Sequence, residues 1–136
     1  MIVYNYQLRV RYRECDPMGV VYHAHYIDYF EVARTEALRD MGIVYKSLED
    51  EGIQMPTIDL AVKYKQPAHY DDLLEIRIIL KEKPKTRIRV DYEVRRVNEE
   101  DILTTGHVTL CFMDVKRKRP VLAPAIFDEM YDEYAQ

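Results

Sequence analysis

The chain has 136 residues, 20 basic and 24 acidic, with 48% hydrophobic and 32% charged residues and a formal charge of −4. That length predicts one domain, residues 1–136, large enough for a core of its own, and the composition excludes a disordered chain. The acidic balance gives no field that favours nucleic acid, while four dispersed glycines and a single serine, Ser47, exclude a Walker loop, a GxGxxG turn and a nucleophile elbow.

Residues 4–12 alternate, with Tyr4, Tyr6, Leu8, Val10 and Tyr12 on one face, which predicts a half-buried strand. Glu14–Gly19 then breaks the pattern with Pro17 and Gly19. From Val21 to Met41 the period is helical. Tyr22, Tyr26, Tyr29, Phe30, Ala33, Ala37 and Met41 form the apolar stripe, with Glu31, Arg34 and Arg39 away from it. Gly42 is a natural stop, and a short helix over 44–51 ends at Gly52.

Four further strands are predicted at 58–64, 74–80, 86–94 and 102–115, the last apolar on both faces as a central strand would be. Turns at Lys83–Lys85 and Asn98–Asp101 make consecutive strands antiparallel. A C-terminal helix over 124–134 carries Pro124 at its start. The order β, long α, then four β predicts an α+β fold, in which a curved antiparallel five-stranded sheet wraps one long central helix.

No apolar stretch approaches the roughly 20 residues needed to span a bilayer, so no membrane insertion is expected. No basic segment followed by an apolar run opens the sequence, and Cys15 and Cys111 suit reduced thiols, so a cytoplasmic location is expected. Cys15 has no histidine placed in sequence to activate it and reads as an idle or packed thiol.

Chemistry concentrates between Glu14 and Glu36. Asp16 sits in an irregular turn before a helix N-terminus, whose free N–H groups around Gly19–His23 can hold an oxyanion while the carboxylate attacks or activates water. Taken alone, Asp16 is better read as a cap of the helix, since Asp is a favoured capping residue. His23, His25 and Asp28 superficially suggest a metal site, but the two histidines would point about 200° apart on a helix, so none is expected. His69 and His107 read as hydrogen-bonded structure, and Glu36 as a buried partner for nearby charge in preference to a second acid. The run Lys116–Arg119 reads either as a contact for phosphates or as a solvated edge. Lys63, Lys65, Arg87 and Arg89 read as solvated surface.

The run from Cys15 to His23, followed by Tyr26 and then Phe30-Glu31-x-Ala33-Arg34-x-Glu36, resembles the signature of hotdog-fold acyl-CoA thioesterases of the YbgC and 4-hydroxybenzoyl-CoA thioesterase branch. Val62-x-Tyr64 with Pro67-Ala68-x-x-Asp71-Asp72-x-Leu74 resembles the central strands of that family. The resemblance spans nearly the whole chain. It implies the hotdog fold and hydrolysis of acyl-CoA to a carboxylic acid and free CoA, with no metal or redox cofactor. Asp16 is implied as nucleophile or general base, and His23 as functionally important beside it. Backbone N–H groups of Val21, Tyr22 or His23 are implied as the oxyanion hole. Gly19, Tyr26, Lys116, Arg117 and Arg119 are candidate substrate contacts. A homodimer or homotetramer with active sites between subunits is also implied. Met18, Glu14 and His25 depart from the usual pattern, which bears on substrate choice. Two other readings stay open: a non-catalytic acyl-CoA or acyl-carrier-protein binding module, and a hotdog dehydratase or hydratase.

Overall fold

A computed structural model describes residues 1–136. Strands β1 (Ile2–Arg9), β3 (Thr57–Tyr64), β4 (Leu73–Leu80), β5 (Arg87–Arg96) and β6 (Ile102–Cys111) form one antiparallel sheet in the order β1-β4-β5-β6-β3. Between β1 and β3 lie helix α1 (His25–Asp40), helix α2 (Tyr45–Asp50) and the short strand β2 (Ile53–Gln54). Strands β7 (Met113–Asp114) and β8 (Arg119–Pro120) and helix α3 (Ala125–Tyr134) complete the chain.

The two-residue period of β4 and β5 buries Leu74, Ile76, Ile78 and Leu80 beside Ile88, Val90, Tyr92 and Val94. Onto that face α1 lays Tyr26, Tyr29, Phe30, Ala33 and Ala37, all buried, as the helical stripe requires. The Phe30 ring stacks on Tyr92 with centroids 4.3 Å apart. Gly106 of β6 makes room for this contact. A Cβ there would lie 2.7 Å from both Phe30 Cε2 and the Ala61 carbonyl oxygen. Gly106→Ala should therefore cost about 1–3 kcal/mol through overpacking, read as a lower midpoint in denaturant unfolding. An unchanged midpoint would mean that both Phe30 and the Ala61 carbonyl give way without loss.

The structure corrects four expectations. The first helix begins at His25, not Val21, because Val20–Tyr22 pairs with Glu14–Asp16 and Ala68; Tyr22 is consequently exposed. Arg34, placed on the polar side, is buried, with its Nε donating to the Tyr45 hydroxyl at 2.9 Å and Nη1 to the Tyr92 hydroxyl at 3.0 Å. Burial pushes the Tyr92 hydroxyl up to about 12, against the pull of the guanidinium. The last strand ends at Cys111; Met113–Asp114 turns away to pair with β2 and β8 in a separate small sheet. Finally, the alternation of Ile58, Leu60, Val62 and Tyr64 that reads as a strand does not mark a buried face in β3. That strand lies at the sheet edge, and on it Ile58, Leu60 and Tyr64 are 45%, 40% and 49% exposed.

Candidate active site

Asp16-Pro17-Met18-Gly19 forms a tight turn closed by the Gly19 N–H on the Asp16 carbonyl at 2.9 Å. The order of residues suits a type I turn, which favours Asp at its first position, Pro at its second and Gly at its fourth. Gly19 has φ +80°, a conformation that glycine adopts without strain. The side chain of Asp16 braces the turn. Its Oδ1 accepts from the Met18 N–H at 2.8 Å and the Val20 N–H at 3.4 Å, whereas Oδ2 has no protein partner. Asp16 therefore caps its own turn and not α1, whose N-cap, Ala24, receives no side-chain bond. One oxygen fixes the carboxylate and the other is free.

The turn sits at the tip of a short hairpin. Asp16 N–H donates to the Val20 carbonyl, Tyr22 N–H to Glu14 and Val21 N–H to Ala68, each at 2.9 Å. Two of the three amides expected as oxyanion donors, Val21 and Tyr22, are thus engaged within the protein. So is Gly19. The N–H groups of His23 and Ala24 bond to no backbone carbonyl or side chain. They stand at the positive end of α1, where unpaired N–H groups and the helix dipole favour negative charge.

A cavity of about 270 Å³ opens beside these amides, lined by Val20, Val21, His23, Tyr26, Tyr64 and Gln66 among others. Asp16 does not line it. Tyr26 is buried, and burial pushes its hydroxyl pKa up while Thr104 and Ala68 pull it down. Tyr64 donates its hydroxyl to the His23 carbonyl at 2.9 Å. Larger hollows of about 380 and 580 Å³ lie against outward-facing residues such as Lys81, Arg89 and Asp91, away from the helix terminus.

Two neighbours stiffen the hairpin. Asp72 Oδ2 accepts from the His69 N–H at 2.8 Å and from Arg96 Nε at 2.9 Å, and Arg96 also donates to the Pro67 carbonyl. This holds the segment carrying Ala68 against Val21. Glu14 is buried and accepts from the Arg11 N–H, Arg11 Nε and the Tyr29 hydroxyl. Burial pushes its carboxyl up, but these donors outweigh burial and hold it below the usual carboxylate range. Each brace combines a bond from three residues away with one from further along the chain, Tyr29 to Glu14 and Arg96 to Asp72, and the distant half is not legible in sequence.

The other named residues lie apart. His25 Nδ1 is 2.9 Å from Asp28 Oδ2 at the start of α1. His107 meets Asp59, and Glu36 faces Arg39. Cys15 is half-buried with its thiol pKa raised, by burial first and then by Asp16 and Glu14. Lys116, Arg117 and Arg119 occupy the β7–β8 hairpin, in which Asp114 accepts from the N–H groups of Lys116 and Arg117. Register fixes where that hairpin lies: Thr57 pairs with Leu110 near the β7 end, whereas Tyr64 pairs with Thr104 near the cavity. Seven steps of β3 separate the two ends by about 23 Å. Within the chain the basic run and the cavity are not brought together.

Residues 10–131 match the thioesterase-like superfamily. Acyl-CoA thioester hydrolase YbgC of Escherichia coli O157:H7 is 32% identical over 123 residues, 90% of either chain. 1,4-Dihydroxy-2-naphthoyl-CoA hydrolase of Synechococcus elongatus is 28% identical over 130 residues, 94% of this chain and 95% of that one. The putative acyl-CoA thioesterase YneP of Bacillus subtilis is 42% identical over 66 residues, and that match spans 48% of each chain. Among solved structures, a DHNA-CoA thioesterase from Staphylococcus aureus superposes with TM-score 0.89 at 29% identity, covering 98% of this chain and 91% of the other. The chain belongs to the thioesterase-like superfamily and has the hotdog fold of its thioesterases. No helix is long and apolar enough to cross a membrane.

Proposed function

We propose that the protein hydrolyses acyl-CoA thioesters, with the thioester carbonyl oxygen on the unpaired His23 N–H and Asp16 as nucleophile or water-activating base. The observation that carries this reading is the division of labour in one hairpin. Asp16 keeps Oδ2 free while Oδ1 locks the turn, and only the amides beyond Tyr22 remain open at the helix terminus. Preorganised donors of this kind stabilise charge that develops on the carbonyl oxygen. If Asp16 activates water, that water attacks and breaks the C–S bond directly; if Asp16 attacks, the C–S bond breaks as an acyl-aspartyl anhydride forms, and a water then hydrolyses the anhydride to restore the carboxylate. By either route the acyl group leaves as a carboxylic acid and CoA, once protonated, as the thiol. Neither route calls on a metal or a redox cofactor. Known relatives named for YbgC and for 1,4-dihydroxy-2-naphthoyl-CoA support a CoA thioester as the substrate class. Thiol release should be measured on short aliphatic, benzoyl and 1,4-dihydroxy-2-naphthoyl CoA esters. Turnover supports the reading and ranks the acyl groups; acyl-CoA binding without release would make the protein a binding module.

The working unit in this reading is a homodimer, alone or paired into a tetramer. The free edge of β3 carries exposed Ile58, Leu60 and Tyr64, and such an edge is a template for another strand. Two copies of β3 paired antiparallel about a two-fold axis would set the Thr57 end of one beside the Tyr64 end of the other. The basic hairpin of one subunit would then reach the cavity of its partner, where Lys116, Arg117 and Arg119 meet the phosphates of CoA. Replacing these three by alanine should raise KM for CoA esters about tenfold, or about 1.4 kcal/mol, and leave N-acetylcysteamine thioesters, which lack phosphates, unchanged. An equal effect on both substrate types would return the run to solvated surface.

A further inference from the structure

We propose that Tyr64 is a positioning residue, holding the His23–Ala24 peptide of the helix terminus in the conformation that leaves the neighbouring N–H groups open; its catalytic consequence rests on the hydrolase reading above. In a regular helix the His23 carbonyl would accept from the Ile27 N–H, but that N–H goes to Ala24 at 3.2 Å, and the His25 N–H goes to Tyr22 at 2.9 Å. No backbone donor meets the His23 carbonyl, which accepts instead from the Tyr64 hydroxyl at 2.9 Å. The bond crosses from the last residue of β3 to the turn before α1, two segments 41 residues apart.

The peptide unit is planar, so fixing its carbonyl fixes the direction of the Ala24 N–H and, by restricting ψ at His23, narrows that of the His23 N–H on the same Cα, the donor in the hydrolase reading. Donation to the carbonyl polarises the same unit and strengthens that N–H as a donor, by an amount on the order of 10–30% per bond. The Tyr64 ring is itself held, with centroids 5.5 Å from Tyr26 and 6.4 Å from His23 in edge contacts. Tyr26 is buried in the core, so the chain of contacts runs from the core to the amide. Tyr64 also sits on the exposed edge strand. The hydroxyl that orders the helix terminus therefore belongs to the strand with the free edge.

Tyr64→Phe removes one oxygen from a 49% exposed residue and should leave folding intact. Its kcat on an acyl-CoA substrate should fall about tenfold with KM within twofold, short of the 10²–10³ expected from losing an oxyanion donor outright. In ¹H–¹⁵N spectra the His23 and Ala24 amide signals should shift or broaden while the rest of the core holds its positions. Wild-type kcat in Tyr64→Phe, or unmoved His23 and Ala24 signals, would overturn the proposal. A wild type that released no thiol would sink the hydrolase reading instead, and the two amide signals would still decide whether Tyr64 positions the peptide.

Discussion

Asp16→Asn should lower kcat on acyl-CoA about 10³-fold while the fold and KM hold. Removal of a nucleophile or general base is worth 10² or more in rate, and a thousandfold corresponds to about 4 kcal/mol of barrier. The substitution is conservative where it matters for structure. The amide oxygen of Asn can still accept from the Met18 and Val20 N–H groups that Asp16 Oδ1 receives now, and Asn is favoured at the first position of such turns. What disappears is the free negative charge on the Oδ2 side. Thiol release under saturating substrate, with circular dichroism as the fold control, measures the effect. Retention of most of the wild-type rate would remove Asp16 from the chemistry and leave it as the brace of its turn.

His23→Pro should lower kcat by 10²–10³, the range for loss of one oxyanion donor, whereas His23→Ala should cost less than tenfold. The pair separates two roles of one residue. Alanine keeps the backbone N–H and deletes the imidazole; proline deletes the N–H, which bonds to nothing inside the protein, so no hydrogen bond of the fold is lost. The exposed ring of His23 makes only edge and tilted contacts with Tyr64 and Tyr22. Equal losses in the two variants would assign the function to the ring. No loss in His23→Pro, with the fold intact, would exclude the amide and move the oxyanion to Ala24.

Local patterns were legible in the sequence, and contacts between distant segments were not. The stripe Tyr26, Tyr29, Phe30, Ala33 and Ala37 follows from a 3.6-residue period and packs as expected. The alternations of β4 and β5 likewise predict their buried faces. Arg34 could not be read this way, because the phenols that satisfy it lie 11 and 58 residues further on. The exposure of β3 was hidden for a related reason. Its alternation suits a buried face, but its place at the sheet edge is decided by β6 pairing with it across a crossover. In the site, the chemistry of Asp16 was legible from residue type and turn composition. Which amides stay open was not, since the carbonyls of Glu14 and Ala68 engage Tyr22 and Val21, and Ala24 offers no capping side chain to mark the helix start.

The most direct test is a crystal structure of the protein with an acyl-CoA analogue in which a methylene replaces the thioester sulfur and the carbonyl is kept. The account predicts the carbonyl oxygen within about 2.7–3.1 Å of the His23 nitrogen, with Asp16 Oδ2 facing the carbonyl carbon directly or through one water. A carbonyl bound away from the helix terminus, with Asp16 facing no part of the acyl group, would contradict it.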